Sequence, residues 1–360
     1  MASESHTNPG EEAHPTNGGA RMWRICVDTG GTFTDCVARD PQGRRRRAKA
    51  LSSGAIRLRA GAIARDGRLT LSGVPAGVDL TGWTLRPADG AGPSATITRH
   101  SKDLAEVELT GADPAQWGAG RLLEASTGEP APIIVARMVT GVSAGAPLPP
   151  MTMRLATTRG TNALLQGTVG RVALFVTEGF GDLLEIGDQR RPDLFALDIR
   201  KRRPWHERSI EVSGRLGADG SELQPLNLDR LRDAARGLLA EGVDCAAVAL
   251  AHSWINPAHE IAVETLLREL GFAHISRSSA LAPMIGMLSR ARTTVVNAAL
   301  SGVIDNYTAA IRAALAPGST FEVMTSAGGM AEVADFHPKD SLLSGPAAGV
   351  AGAVAAGRAS

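Results

Sequence analysis

Apolar residues dominate 24–27, and the apolar pattern resumes over 33–38, two short runs that read as strands. Gly30 and Gly31 stand between them, so the pattern predicts a β-hairpin turning at the glycine pair and followed by the turn signal Asp40-Pro41-Gln42-Gly43. Arg44, Arg45, Arg46 and Arg47 sit on that second turn, and such a run of like charge reads as a solvated edge. From about residue 54 to 135 the texture changes to short alternating pieces, 69–72, 83–86, 95–99 and 105–110, divided by Gly, Pro and Asp. That spacing predicts a small all-β insert, closed by the proline-rich joint Ala146-Pro147-Leu148-Pro149-Pro150.

Beyond Met151 strand and helix patterns alternate, which favours a sheet covered by helices. Buried strands are predicted at 172–177 and 245–250, and a further strand at 321–325. Leu228, Leu231, Ala235, Leu238 and Leu239 form one helical stripe. Asn256-Pro257 predicts a helix start, Asn as N-cap and Pro in the first turn, with Ala262, Leu266, Leu267 and Leu270 facing inward. The expected organisation is a disordered tail over 1–21, the start of an α/β domain over 22–53, the β insert and joint over 54–150, and a second α/β stretch over 151–360.

Composition narrows the function classes. The 360 residues are 43% apolar with a mean hydropathy of -0.03, and 38 Lys and Arg nearly cancel 37 Asp and Glu. No global field draws the chain to nucleic acid or to an acidic membrane, which leaves a specific small ligand as the default. Cys26, Cys36 and Cys245 are too scattered for a disulfide framework or a zinc knuckle and read as buried reduced thiols. The first twenty residues hold no apolar run, so neither a signal peptide nor a membrane span is expected there, and the expected compartment is the cytoplasm.

The octet Asp28-Thr29-Gly30-Gly31-Thr32-Phe33-Thr34-Asp35 carries the clearest chemistry. Glycine permits positive φ and close backbone approach, so successive N–H groups of Gly30 and Gly31 can converge on phosphate oxygens while Thr32 and Thr34 add hydroxyl donors. Asp28, ending the first strand, is placed to hold Mg2+ through water or to orient the attacking group, and Asp35 closes the motif. The P-loop and dinucleotide spacings are both missing. A second constellation, 156–165, contains Thr158, Thr161 and Asn162; Thr161 or Asn162 reads equally as a helix cap or as a ligand contact. In a third, 185–195, Arg190 or Arg191 could grip a carboxylate with its planar fork or join a surface charge network.

Seven segments in order, DTGGTFTD at 28–35, TTRGTNALL at 157–165, 171–195, HSWINPAHE at 252–260, RARTTVVNAAL at 290–300, TSAGGM at 325–330 and LLSGPAAGVAGA at 342–353, give a chain that resembles the N-terminal half of the hydantoinase A/5-oxoprolinase family. The resemblance implies an α/β, ribonuclease-H-like nucleotide-binding fold of the actin/hexokinase/Hsp70 type, carrying the small all-β insert. It implies ATP and Mg2+ as cofactors, with Asp28, Gly30, Gly31, Thr32, Thr34 and Asp35 on the nucleotide. ATP would phosphorylate the oxygen of a lactam or cyclic amide, opening the amide carbon to water, with Thr158, Thr161, Asn162, Arg190 and Arg191 as substrate candidates. His252 and His259 need no catalytic role on this route, and His259 reads as structural. Arg290, Arg292, Thr293, Thr294 and Asn297 open a helix whose arginines are either solvated or in contact with substrate or another lobe. Ser344-Gly345-Pro346 offers a further helix start before a small-residue run. The expected partners are a lactam and a hydantoinase B-type subunit or domain, in an oligomer. The family's second glycine-rich phosphate motif does not occur before Ser360, so the expectation is a truncated chain with about half of an ATP site. A ketone carboxylase subunit and a non-catalytic interaction module are the alternative readings, and the long β insert favours the oxoprolinase side.

Overall fold

In the computed structural model, residues 22–359 are described apart from 102, 189, 192, 200 and 202. The expected tail over 1–21 lies outside them. The chain opens with β1 (Trp23–Thr29), β2 (Phe33–Arg39) and β3 (Arg45–Leu51), an antiparallel meander. Arg44 alone stays on the turn, where it binds Asp40 at 2.7 Å; Arg45, Arg46 and Arg47 begin β3 instead. β3 is the edge of its sheet, and exposed like charges discourage pairing with another strand.

Six strands then close a barrel: β4 (Ile56–Ile63), β5 (Leu69–Ser72), β6 (Thr84–Pro87), β7 (Ala95–Ser101), β8 (Glu106–Thr110) and β9 (Leu122–Ser126), in the order β4-β5-β8-β7-β6-β9. Closure removes the edges that isolated short strands would leave open. Trp83, Leu85, Ile97 and Leu123 fill its interior. The barrel is followed by a helix inside the stretch expected to be β and joint, α1 (Ala131–Thr140). Every residue from Ala131 to Val139 is buried, so no amphipathic stripe marks it in the sequence. Arg137 on α1 is itself buried: it grips Glu129 at 2.7 Å through two nitrogens and donates to the carbonyls of Ser143 and Ala146, which ties down the proline-rich joint.

The joint delivers β10 (Met151–Thr157), which pairs parallel to β1, and α2 (Arg159–Gln166) follows at once. A second sheet is assembled from β11 (Val172–Thr177), α3 (Leu183–Ile186), β12 (His206–Val212), the small ribbon β13 (Arg215–Leu216) and β14 (Glu222–Gln224), α4 (Asp229–Ala240), β15 (Cys245–Ala249), α5 (Ala258–Leu270), β16 (His274–Arg277) and α6 (Ser278–Leu281). Its four strands are all parallel in the order β12-β11-β15-β16, and β11 and β15 are buried throughout, as parallel strands covered on both faces should be. α5 starts one residue later than the sequence suggested: Pro257 takes the cap position and Asn256 accepts from the Ala258 N–H at 3.0 Å. His259 is buried against Glu222 at 2.7 Å, a structural position.

α7 (Met287–Ala314) joins the two units. Its first half, with Ala291, Val295 and Ala298, packs on the second sheet, and Leu300, Ile304, Tyr307 and Ile311 enter the core of the first. The chain then returns through β17 (Thr320–Met324) and β18 (Met330–Glu332) and ends in α8 (Ser344–Ala359). The first sheet therefore has the order β18-β17-β10-β1-β2-β3, with β1, β10 and β17 parallel. Among the described residues no helix is long and apolar enough to cross a membrane.

Candidate functional site

The glycine hairpin is held by its neighbours. β1 and β2 pair from Arg24↔Arg39 to Thr29↔Thr34, and the Gly30 N–H closes the turn on the Phe33 carbonyl at 3.0 Å. Ser52, just after β3, clamps it from beneath: its hydroxyl donates to the Gly30 carbonyl at 2.8 Å and its N–H to the Thr32 carbonyl at 2.9 Å. The N–H groups of Gly31 and Thr32 have no intramolecular partner among the described residues. Adjacent free N–H groups on a turn form a concavity suited to an anion.

Two expectations about this turn are corrected. Neither Gly30 nor Gly31 has positive φ; at Gly30 space is the requirement instead. A Cβ on Gly30 would stand 3.2 Å from the Phe33 carbonyl oxygen, and one on Gly31 would fill the gap to the Asn162 side chain at 3.5 Å. Thr34 offers no free hydroxyl, because it is wholly buried with its Oγ1 3.1 Å from Ser52 Oγ. Its position on the inward face of β2 follows from the two-residue period of the strand. Thr32 is exposed at the turn.

The parallel pairing Thr29↔Thr157 brings the second constellation to the hairpin. The Thr158 N–H donates to the Thr29 carbonyl at 2.9 Å, and Asn162 Nδ2 donates to Thr158 Oγ1 at 3.2 Å. Thr161 and Asn162 lie inside α2 and do not cap it; the cap position is Thr158, which makes no side-chain capping bond, and the preceding Thr157 accepts from the Arg159 N–H at 3.1 Å. Thr29 in turn lies 3.2 Å from the hydroxyl of Tyr307 on α7. Gly31 and Asn162 line a hollow of about 300 Å³ together with Arg159, which the sequence reading passed over, while Thr161 does not line it. The only local signal for Arg159 and Ser52 was polarity beside small residues.

On the other face of the sheet Asp28 and Asp35 stand directly opposite each other across β1 and β2. Lys49 of β3 binds Asp35 at 2.9 Å. Asp28 is exposed but lies in a groove of about 380 Å³ walled by Val37, Leu155, Met324 and Met330. Withdrawal from bulk water in this groove, and then the charge of Asp35, push its carboxyl above the ordinary carboxylate range. Among the described residues no group of three or more metal-ligating side chains occurs.

The third constellation is not brought here. Arg190 and Arg191 are exposed in the segment after α3; Arg190 lies 3.3 Å from Asp188, which is 3.9 Å from Arg292. No contact among the described residues joins them to the hairpin. Arg290 is neither solvated nor at a lobe surface: it is fully buried and donates to the hydroxyls of Ser253 and Ser278 at 2.5 Å and to the Leu250 carbonyl at 2.9 Å. Ser344 is the first residue of α8, and its hydroxyl donates to the Thr157 carbonyl at 2.7 Å, which anchors the helix to β10.

Residues 141–271 match the hydantoinase/oxoprolinase N-terminal region, and residues 290–360 match the hydantoinase/oxoprolinase model. The chain is 36% identical over 292 residues to 5-oxoprolinase 1 of Arabidopsis thaliana, a match covering 72% of this chain and 22% of that protein. Among solved structures it is similar to nucleotide-free acetone carboxylase, with a TM-score of 0.60 and 19% identity over 93% of this chain and 40% of the other. It is also similar to the ATP-dependent caprolactamase of Pseudomonas jessenii, with a TM-score of 0.55 and 24% identity over 90% of this chain and 39% of the other. The chain thus spans about a fifth of the length of the curated relative and two fifths of the solved chains.

Proposed function

Because the chain belongs to the hydantoinase/oxoprolinase family, we propose that its glycine hairpin is one half of the ATP site of an enzyme that hydrolyses a lactam or cyclic amide. The observation that carries this reading is the pair of unpartnered N–H groups at Gly31 and Thr32, held open by Ser52 and flanked by Asn162 and Arg159. The strand order β3-β2-β1-β10-β17, with three antiparallel strands followed by two parallel ones, supports a ribonuclease-H-like core.

An amide carbonyl resists water because its nitrogen lone pair is delocalised onto oxygen. Transfer of the γ-phosphoryl group to that oxygen, with ADP as leaving group, makes the carbon open to attack by water and the C–N bond open to cleavage. The transfer asks the protein chiefly for positioning and charge stabilisation. The Gly31 and Thr32 N–H groups would hold phosphate oxygens, and Thr158 and Asn162 would fix the turn against α2. The facing carboxylates of Asp28 and Asp35 fit a divalent cation, since Lys49 balances only one of them, and Mg2+ held there would supply further neutralisation of phosphate charge. A hydantoinase B-type subunit or domain is the partner this reading proposes.

The test is phosphate release from ATP by the chain once the other half of the ATP site and the B-type partner are supplied, with 5-oxoproline present and absent. Lactam-dependent release in the wild type and a loss of at least about a hundredfold in Asp28→Asn are expected. Release that Asp28→Asn leaves intact would remove Asp28 from the site. The likeness to acetone carboxylase supports a second reading, phosphorylation on the way to carboxylating a ketone, and release that requires ketone plus bicarbonate instead of a lactam would select it.

A further inference from the structure

The two faces of the first sheet are covered unequally. On the inward face α1 packs across β1, β2 and β3, against Ile25, Val27, Cys36 and Ala38. On the outward face α8 packs on β10 and β17, while the outward side chains of β1, β2 and β3 are all exposed. Helices cover both faces of the sheet in α/β architectures, so this half-face is one that a helix from elsewhere can complete.

Strand register makes that surface cationic. Arg24 stands directly opposite Arg39 and Arg39 directly opposite Arg45, so three arginines form one row across three strands. Arg47 lies in the next row, opposite Val37. Directly opposed side chains share a face, and like charges so placed destabilise a sheet. Among the described residues none of the four has a carboxylate partner: Asp40 is held by Arg44 at 2.7 Å and lies 3.9 Å from Arg46, and Arg39 reaches the Gly43 carbonyl at 3.5 Å. Protection of the β3 edge accounts for Arg45 and Arg47. It does not account for Arg24 and Arg39, which lie on inner strands.

The spacing selects the form of the ligand. Neighbouring strands stand about 4.8 Å apart, and side chains three or four residues apart on a helix about 5–6 Å. Carboxylates at i, i+3 or i+4, and i+7 of a helix crossing the strands would therefore meet Arg24, Arg39 and Arg45 in turn. No aromatic side chain stands in these two rows over β1, β2 and β3 to stack a base, and a net charge of +1 supplies no wider field for a nucleic acid. Asp28 and Asp35 lie four residues further along their strands, about 13 Å away, so a helix about 10 Å across leaves them open.

Independently of the nucleotide reading, we propose that the outward face of β1, β2 and β3 docks a helix of a partner polypeptide whose facing side is acidic, with Arg24, Arg39 and Arg45 as its contacts.

The test is fluorescence anisotropy of a labelled alanine-based helix of about twenty residues, carrying Glu at those spacings, titrated with the 360-residue chain. Binding is expected at low salt and should weaken as NaCl is raised to about 0.3 M. A helix of the same composition with its Glu residues spread around all sides should bind several-fold more weakly. Replacing the row together, Arg24→Ala, Arg39→Ala and Arg45→Ala, should weaken the patterned helix about tenfold, since exposed ion pairs contribute about two- to fivefold each. The same charge removed from exposed positions elsewhere, through Arg65→Ala, Arg230→Ala and Arg236→Ala, should leave binding unchanged. The row variant should melt no lower than wild type, because it relieves opposition of like charges. A lower midpoint would make the arginines structural and overturn the proposal. So would absence of binding at low salt, equal binding of the two helices, an equal loss in the control variant, or tighter binding of a short duplex DNA than of the patterned helix.

Discussion

The groove disfavours a negative charge on Asp28 relative to water. Its folded pKa is raised above the ordinary 3.8, so the protonated form is the one the groove favours and its contribution to stability falls as pH rises through the raised value. Asp28→Asn should therefore be as stable as wild type or more so at pH 7, the difference closing below about pH 3.8, as followed by thermal unfolding against pH. A residue that costs stability and is expected to be needed for turnover fits a functional position better than a structural one. The thiols show the same sign for the same leading reason, withdrawal from water. Burial pushes both Cys36 and Cys245 up from 9.0 to about 12, whereas Cys26 is exposed on the outer face of β1. One fast-reacting thiol is expected with Ellman's reagent at pH 8 and three after denaturation. Both raised thiols stabilise fully below about pH 9, and that stability should drain away as pH climbs toward about 12.

At the scale of elements, α7 shows how far a sequence pattern can carry. Its apolar members were readable, but Arg290 was left between solvent and a substrate contact, and it is neither. Glu260 of α5 accepts from the Leu250 N–H, the Ser278 hydroxyl and the Ser279 N–H, and Arg290 completes the cluster at 3.9 Å, joining α5, α6, α7 and the end of β15. Such a network is expensive to break from one side, because the partner charge is left buried. Arg290→Met should cost about 3–5 kcal/mol in urea unfolding, and adding Glu260→Gln should recover part of it. α1 escaped notice for the opposite reason: it is apolar all round, and only its packing on β1, β2 and β3 distinguishes it from a buried strand.

For the whole molecule the decisive element is again α7, which belongs to both cores. Leu300 is buried at its midpoint, so Leu300→Ala should cost about 2–5 kcal/mol. The loss should appear as one transition, with fluorescence of single-tryptophan variants retaining Trp117 in the barrel or Trp205 beside the second sheet giving coincident curves. The glycine hairpin could be read from the sequence because everything that makes it is local: a short apolar run on either side of a glycine pair, over a dozen residues. The β insert was legible for the same reason, since alternation and turn residues recur within each short piece. Residues brought together from afar were not. Ser52 reaches the turn only through the β2–β3 pairing, Arg159 only through the parallel register of Thr29 with Thr157, and Tyr307 only because α7 crosses behind both. The sequence by itself determined the first strands and the turn between them. Tertiary structure alone decided which side chains face the turn, because pairing and packing between segments from 22 to 278 residues apart leave no periodic trace in either segment.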